Sequence, residues 1–379
     1  MNIVDIIYHR YMDSVGQKMT IGGIQTYISH LTILANRLGY QVRIFQFADK
    51  PFCIEQSPNI TIFGIKIAGR KRTDKLIDYA LSHRDFCKNQ YLTIFANVDN
   101  MMPSFRVPHS ICIQHGVGWD RLSKGKIPLW LRLLSRTYFS YRIIRNMQRV
   151  DEVVCVDNNF INWYRTLDSY RSIHLTPIMN FTPIVSFKKH KKSNLTSIVF
   201  ARRFFDYRGT RIFAAAAKRL LQEFSTIQII FAGEGPDERY LKDTFLGIPN
   251  VSFTQYNSEN SIEFHQMYDI AVVPTTGSEG TSLSLLEAMA AGCTVVCTNV
   301  GGMTNIILDR YNGLMVNPEI DELYEALVCV ITDLSLRKKL ALNGYKTVCN
   351  AFSLKQWECK WASVLDKHFK LFDAKSHES

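Results

Sequence analysis

One stretch limits most strongly what this chain can fold into: AVVPTTGSEGTSLSLLEAMAAGCTVVCTNVGG, residues 271–302. An apolar run is broken at Pro274, and a segment rich in glycine, serine and threonine leads into a helical pattern that stops at Gly292. The order strand, loop, helix, strand is typical of a parallel sheet covered by helices. Such sheets bind ligands at the carboxyl ends of their strands. The pattern therefore predicts a ligand site in the loop after Val273.

Two carboxylates belong to that loop and helix. Glu279 precedes the helix and Glu287 lies inside its first turns, so the two can flank a ligand at the amino end of the helix. The exposed backbone N–H groups of Gly280, Thr281, Ser282 and Leu283 would face the same ligand. A structural alternative exists for Glu287, because Ser284 and Glu287 also form the S-x-x-E of a capping box. The local pattern leaves both interpretations open.

The stretch also resembles a known family. Glu279, Glu287, the string LLEAMAAG, the following TVV strand and the pair Gly301-Gly302 are similar to the signature of the retaining family 4 (group 1) glycosyltransferases. The resemblance covers nearly the whole chain and is strongest over 195–317. It implies an α/β fold of the GT-B type, with two facing Rossmann-like domains of mostly parallel sheets. It also implies that Glu287 holds the nucleotide ribose and that Glu279 lies near the donor sugar and its phosphate.

The length of 379 residues is too great for one typical core and fits two domains. We predict an acceptor-side domain over residues 1–184 and a nucleotide-sugar-binding domain over 185–353. Residues 354–379 are predicted as a helix that returns to the first domain, followed by a tail, as the resemblance implies. The basic, non-periodic segment VSFKKHKKSN has the composition of a linker between the two domains.

Cellular location is predicted from what the sequence lacks. No run of 18 apolar residues occurs, and the amino end leads straight into a strand without the order of a signal peptide. We therefore expect a cytoplasmic protein. Its nine cysteines form no C-x-x-C pair, so we expect reduced thiols and neither disulfides nor a zinc site.

The first half offers two candidate contacts. Gly22 and Gly23 open the first predicted helix, where glycine lets the backbone approach a phosphate, although many helices begin at glycine without a ligand. His115 follows the predicted strand 110–114, at a strand end beside two glycines, where a histidine is a better candidate for substrate contact than elsewhere. The resemblance implies that the glycines contact the donor phosphates and that His115 contacts the transferred sugar or the acceptor.

A basic loop, ARRFFDYRG, follows the first strand of the second half. Three arginines beside a helix start predict an anionic ligand such as a diphosphate, and a solvated basic loop is the alternative. In the register that we assign, Arg203 falls on the family's arginine, Arg208 on its lysine and Arg202 on its glycine. The resemblance further implies that Gly233 and Gly235 form a loop on the nucleotide side.

The positive charge is concentrated in the first half. Residues 1–184 hold 23 Lys or Arg against 13 Asp or Glu, whereas 185–379 hold 22 against 21. This imbalance predicts an anionic partner, and no nucleic-acid motif accompanies it, so an anionic membrane surface is favoured. Residues 127–148 form a helical pattern of aromatic and arginine residues, which is either a helix that covers the first domain or an interfacial membrane helix. Its imperfect amphipathicity favours the covering helix.

These features predict a retaining glycosyltransferase that moves a sugar from a UDP- or GDP-sugar to a hydroxyl of a glycan or lipid-linked glycan, as in lipopolysaccharide, capsule or exopolysaccharide assembly. The catalytic residues are predicted to be Glu279, Arg203, Arg208 and His115, with no metal and no cofactor beyond the donor. The enzyme is expected to dock on the inner face of the cytoplasmic membrane. Three alternatives are a glycoside hydrolase that uses Glu279 and Glu287, a GT-B nucleotide-sugar epimerase, and a nucleotide-binding module without activity.

Overall fold

The computed structural model describes residues 1–376 except 21, 69–71, 99–101, 117–126, 168–172, 188–194 and 278. The chain divides into two compact units. The first unit combines residues 1–115, 127–178 and 357 onward, and the second is centred on residues 179–356. Each unit is built around one mostly parallel sheet.

The first unit holds an eight-stranded sheet in the order β3-β4-β2-β1-β5-β6-β7-β8. All of its neighbouring strands are parallel except β3 and β4. The strands are β1 (Asn2–Ile7), β2 (Gln41–Phe47), β3 (Phe52–Ser57), β4 (Ile60–Ile65), β5 (Gln90–Phe95), β6 (Ser110–Gln114), β7 (Glu152–Cys155) and β8 (His174–Pro177). The helices are α1 (Gly23–Arg37), α2 (Arg72–Ser82), α3 (Leu129–Met147), α4 (Asn158–Arg165) and the C-terminal α11 (Leu354–Ser376).

The second unit holds a six-stranded parallel sheet in the order β11-β10-β9-β12-β13-β14. Its strands are β9 (Thr196–Ala201), β10 (Ile227–Ala232), β11 (Val251–Thr254), β12 (Ile270–Val273), β13 (Thr294–Thr298) and β14 (Leu314–Val316). Its helices are α5 (Thr210–Glu223), α6 (Glu238–Thr244), α7 (Ser261–His265), α8 (Leu283–Ala290), α9 (Ile320–Thr332) and α10 (Leu334–Ala351).

The core of the second unit follows from the alternation of side chains along its strands. In β9, Ile198 and Phe200 belong to an apolar cluster on one face of the sheet, whereas Val199 and Ala201 belong to a cluster on the other face. Strands buried on both faces read as continuous apolar runs, which is why the sequence pattern predicted a parallel sheet here. The α/β fold class is thereby confirmed.

The strand order creates a switch point in the second unit. From β9 the chain moves outward to β10 and β11, then returns to pair β12 with the opposite edge of β9. The loops that follow β9 and β12 consequently leave the sheet in opposite directions and open a crevice between them, which is where open α/β sheets bind ligands. The arginine loop follows β9 and the Glu279 loop follows β12, so the fold brings the two predicted loops to one place.

Helix α3 differs from its prediction as a covering helix. Its buried residues are Ile143, Asn146 and Met147, all in the last two turns, whereas positions 129–139 are exposed on every side. The covering interpretation is therefore wrong for the first three turns, because the described residues leave that part of the helix uncovered. No helix among those described is long and apolar enough to cross a membrane.

Candidate active site

A buried cluster of two arginines and one glutamate lies at the switch point. Arg202 directly follows β9, and its Nη2 donates to Glu279 Oε2 at 2.7 Å. Arg208, six residues later, donates through Nη1 to the same oxygen. The side chains of Arg202 and Glu279 are only 5% and 9% exposed, and Arg208 is 20% exposed. Two guanidiniums share one carboxylate, so the cluster keeps one net positive charge.

Thr275 completes this cluster from the loop after β12. Its hydroxyl donates to Glu279 Oε2 at 3.0 Å and accepts a hydrogen bond from Arg202 Nη1. The Thr298 hydroxyl in turn donates to the Thr275 carbonyl. Thr275 is fully buried, so it fixes the relative positions of Arg202 and Glu279. The sequence analysis missed this residue, since a threonine in a loop rich in glycine and serine carries no signal of its own.

The ionisable side chains of the cluster are each held in one protonation state. Burial alone would raise the pKa of Glu279, but the charges of Arg202 and Arg208 outweigh it and hold that pKa at about 2. Burial lowers the pKa of Arg202, and the neighbouring Arg208 adds to this effect against the attraction of Glu279. A carboxylate with so low a pKa stays ionised at neutral pH and does not donate a proton.

The structure does not bring all three arginines of the basic loop together. Arg203 is exposed, and its guanidinium lies over the Phe205 ring with 5.6 Å to the centroid. Arg202, which we had aligned with a glycine, is the arginine beside Glu279 and Arg208. The physical reason is the alternation of an extended segment, which puts Arg202 on the side of the buried Phe204 and Arg203 on the opposite side. Phe204 was the signal that could have set this register.

Glycines let the backbone segments around the cluster approach one another. A Cβ at Gly209 would collide with the Pro274 carbonyl, and one at Gly301 would collide with the Glu279 carbonyl; both glycines have positive φ angles, 80° and 57°. Side chains at Gly233 and Gly235 would strike the backbone at Arg202 and Phe204. The loop with Gly233 and Gly235 therefore packs against the arginine segment. This contact is sufficient to require glycine at both positions, without any ligand.

The predicted N–H groups lie at the beginning of α8. Gly280 and Thr281 lead to the N-cap residue Ser282, and Leu283 is the first helical residue. Thr281 and Ser282 are only 2% and 1% exposed. The Asn180 side-chain amide donates to the Thr281 carbonyl at 2.6 Å, and the Gly302 N–H donates to the Glu279 carbonyl at 2.9 Å. The loop before the helix is thus held on two sides.

Glu287 does not form the capping box that was its structural alternative. Ser284 lies inside α8 rather than at the N-cap, and Glu287 Oε2 accepts a hydrogen bond from the Ser261 hydroxyl at 2.6 Å. Burial raises the pKa of Glu287, although the Ser261 hydrogen bond opposes the shift. The capping-box interpretation is therefore wrong. Glu287 is instead a half-buried carboxylate that a serine of α7 supports, and no sequence pattern marks that serine.

The first unit places its predicted residues around α1. Gly22 is the N-cap of α1, and its carbonyl accepts from the Thr26 N–H at 3.0 Å, while Gly23 is the first helical residue. His115 follows β6 and meets the Tyr27 ring edge-on at 5.2 Å, one turn into the same helix. Burial lowers the pKa of His115 to about 4, so the imidazole is neutral at pH 7. Among the described residues, its Nε2 has no hydrogen-bond partner.

Gln114 is a further polar residue that the sequence analysis missed. It is 1% exposed, and neither atom of its amide has a hydrogen-bond partner among the described residues. Because an unpaired buried amide costs free energy, such a group at a strand end is a candidate for contact with a ligand. No cluster of three His, Cys, Asp or Glu residues suited to a metal occurs in the part of the chain that the structure describes.

Comparison with known proteins finds a family model that matches part of the second unit. Residues 196–333 match the family model described as "Glycosyl transferases group 1". An uncharacterised glycosyltransferase of Methanocaldococcus jannaschii is 29% identical over 161 residues, which cover 41% of each chain. The gpi3 subunit of phosphatidylinositol N-acetylglucosaminyltransferase from Schizosaccharomyces pombe is 25% identical over 203 residues, covering 52% of this chain and 41% of that protein. The aligned regions thus span less than half the length of these two relatives.

Solved structures resemble the whole chain. Sucrose-phosphate synthase from Thermosynechococcus elongatus superimposes with a TM-score of 0.73 at 18% identity, covering 99% of this chain and 100% of that one. S. aureus TarM, solved in complex with UDP, superimposes with a TM-score of 0.70 at 12% identity over 96% and 100% of the two chains. At such low identity these similarities show the fold. The family model therefore identifies a group 1 glycosyltransferase domain in the second unit, and the whole chain has the α/β fold of GT-B glycosyltransferase structures.

Proposed function

We propose that this protein is a retaining glycosyltransferase that moves a sugar from a nucleotide diphosphate donor to a hydroxyl of a glycan or lipid-linked glycan. The observation that carries the proposal is the buried Arg202–Glu279–Arg208 cluster at the switch point. Its net positive charge is preorganised by Thr275 and lies where the fold binds ligands. A departing diphosphate gains negative charge in the transition state, so fixed guanidiniums stabilise it most at that moment.

Each part of the second unit has a role in this proposal. Arg202 and Arg208 hold the diphosphate, with the amino end of α8 as a further source of N–H donors. Glu287 accepts from the ribose hydroxyls, and its hydrogen bond from Ser261 orients it for this. Glu279 keeps the arginines in place and lies near the donor sugar. The UDP in the TarM complex supports a nucleotide diphosphate donor, and we propose a UDP- or GDP-sugar.

The first unit is proposed to serve the acceptor. Neutral His115 has an unpaired Nε2 that can contact the transferred sugar or the acceptor hydroxyl, and the N–H groups at Gly22 and Gly23 are available to a phosphate. A leaving phosphate oxygen takes the acceptor proton, so the protein needs neither a general base nor a metal for this step. The name of the S. pombe relative supports a lipid-carried acceptor. We therefore propose that the enzyme acts at the inner face of the cytoplasmic membrane in cell-surface glycan assembly.

A donor screen tests the proposal first. Thermal unfolding would be followed with UDP, GDP and ADP sugars, since a ligand at 100 times its dissociation constant stabilises by about 2.7 kcal/mol. We expect one nucleotide to raise the unfolding temperature of the wild type and to have a much smaller effect on Glu287→Ala.

The stereochemistry is tested on the product. NMR of the product formed from an α-linked donor should show an α linkage at the first time points, and addition of EDTA should leave the rate unchanged. A β product would overturn the retaining mechanism, and loss of activity with EDTA would overturn metal independence. Turnover of the nucleotide sugar without acceptor, to an epimer, would favour the epimerase instead.

A further inference from the structure

Helix α3 carries an apolar stripe that faces away from the first unit. Trp130, Leu134, Tyr138 and Tyr141 are 61%, 60%, 62% and 61% exposed. At about 100° per residue, these four positions lie within about 80° of one another around the helix. The buried residues Ile143, Asn146 and Met147 lie on the opposite side. The four large side chains therefore form one continuous outward row, which we call the α3 stripe.

The orientation of the stripe is the reverse of what a surface helix normally shows. Such a helix turns its apolar face to the core and its polar face to water. In α3, Arg132 and Arg136 lie on the side of the helix that carries Ile143, together with the exposed Leu129 and Phe139, and the stripe lies on the side opposite Ile143. Several large apolar side chains in one exposed row mark a surface that another body covers.

The positive charge around the stripe indicates which kind of partner covers it. Five arginines (Arg132, Arg136, Arg142, Arg145 and Arg149) and no acid occur between residues 127 and 150. A symmetric contact between two copies of α3 would bring these arginines together, which disfavours a second copy of the chain. Arginine, tryptophan, tyrosine and leucine on one helix are the composition of helices that lie in the interface of an anionic bilayer. There the apolar face enters the acyl boundary while long arginine side chains reach the headgroups.

We propose that α3 is a membrane-docking helix whose stripe inserts into the interfacial region of an anionic lipid bilayer. The first three turns project free of the described part of the unit, so both faces of the helix are accessible to the lipid. The inference rests on the proposed function only in that this bilayer would carry the lipid-linked acceptor. It differs from a general attraction of the basic first half to anionic surfaces, because it requires apolar insertion at named residues.

Vesicle flotation of the full chain tests the proposal. We would use phosphatidylcholine vesicles with and without phosphatidylglycerol, at low and high salt. The stripe variant combines Trp130→Ser, Leu134→Ser and Tyr138→Ser. A matched control combines Leu246→Ser, Met267→Ser and Leu308→Ser, which are 85%, 62% and 65% exposed in the second unit. We expect the wild type and the control to float with anionic vesicles, and the stripe variant to bind at least about tenfold more weakly, given the apolar burial that it loses.

Insertion itself is measured with lipids brominated on their acyl chains. These should quench the fluorescence of the wild type more than that of Trp130→Phe, because Trp130 lies in the stripe. Equal binding by wild type and stripe variant, equal binding to neutral vesicles, or absence of quenching would overturn the proposal. A wild-type dimer that the stripe substitutions dissociate, without vesicle binding, would assign the stripe to a second copy.

Failure of this proposal is distinguishable from failure of the proposed function. The stripe lies outside the residues assigned to the donor, so the stripe variant should bind the donor nucleotide with wild-type affinity. Vesicle binding without sugar transfer would leave α3 as a docking helix and reject the transferase. Sugar transfer without vesicle binding would support the transferase and reject α3 as a docking helix.

Discussion

Arg202 is the arginine on which the proposed stabilisation of the leaving group depends. It is buried and bonded to both Thr275 and Glu279, so its charge cannot turn away from the crevice. Loss of one preorganised donor to a developing charge typically costs about 100- to 1,000-fold in rate. We predict a loss of this size in kcat for Arg202→Ala, measured by release of nucleoside diphosphate in the presence of acceptor.

Arg203→Ala is the natural control for that prediction, because Arg203 is adjacent in the chain but exposed over Phe205. Its kcat should change by no more than a few-fold. Arg208→Lys keeps the positive charge and should retain most of the activity. If Arg203→Ala were as inactive as Arg202→Ala, the cluster in the free protein would not be the arrangement that binds donor, and our original register would stand.

Glu287 gives the nucleotide affinity a pH dependence. Burial raises its pKa above that of an ordinary glutamate, so the carboxyl group takes up its proton at a higher pH than usual. The ionised form is the acceptor for ribose hydroxyls. We therefore predict that calorimetric affinity for the free nucleoside diphosphate falls as the pH is lowered from neutral, and that Glu287→Gln is weaker at pH 7 and less sensitive to pH. Equal affinities in the two proteins would remove Glu287 from the nucleotide site.

Individual residues could be predicted from the sequence only where a pattern fixed their position. Glu279 and Arg208 lie together in the structure because each follows a strand whose place in a parallel sheet is set by its apolar run. The choice between Arg202 and Arg203 needed the direction of a side chain in irregular backbone, which composition does not encode. Thr275 and Ser261 were missed for the same reason, since their roles arise from contacts between segments distant in the sequence.

At the scale of elements, the glycine pair after β13 supports the Glu279 loop. Gly301 has φ of 57°, and a Cβ there would collide with the Glu279 backbone. Gly247 has φ of 76° but nothing within 4 Å of an added Cβ, so it isolates the cost of the backbone conformation, about 1 kcal/mol. We predict that Gly247→Ala loses roughly that much stability and keeps its activity. Gly301→Ala should in addition lose most of its kcat.

Urea unfolding with activity assays on the folded protein measures both quantities. A Gly301→Ala protein with wild-type kcat would show that the Glu279 loop tolerates displacement, and the glycine would then serve folding alone.

Most elements follow from apolar periodicity, and the exceptions have physical causes. β3 is an antiparallel strand paired only with β4, and its half-exposed sequence lacks the continuous apolar run that marked the parallel strands. α4 has eight residues and shows little more than two turns of pattern, too few to recognise. α3 was recognised as a helix, but its environment was mistaken, because apolar periodicity tells which side chains share a face and not what covers that face.

At the scale of the whole molecule, the C-terminal helix belongs to the first unit although the second precedes it in the chain. Trp361 of α11 is buried and donates through Nε1 to the Tyr27 hydroxyl of α1 at 2.7 Å. Lys367 and His368 reach Glu152 of β7 at 2.8 and 3.0 Å. The beginning, middle and end of the chain therefore meet in one core, and the first unit is complete only when α11 is in place.

Glu152 makes this assembly sensitive to acid. Burial alone would raise the pKa of Glu152, but the bonds from His368, Lys367 and Thr176 outweigh it and hold that pKa at about 2, against 4.5 for an ordinary glutamate. Because the folded-state pKa is the lower one, the stabilisation is present above about pH 4.5 and is lost as the pH falls towards 2. The shift corresponds to about 3 kcal/mol, for a side chain that is 2% exposed.

We predict that Glu152→Gln lowers the free energy of unfolding at pH 7 by up to about 3 kcal/mol and flattens its dependence on pH between 4.5 and 2. Glu358→Gln, on α11, removes a pair with the 59%-exposed Arg37 and should cost at most about 1 kcal/mol. Urea unfolding at several pH values, followed by tryptophan fluorescence, gives both free energies. Equal losses in the two variants would mean that Glu152 contributes no more than a surface pair. α11 would then be held to the first unit by its tryptophans alone, and the acid sensitivity of that unit would arise elsewhere.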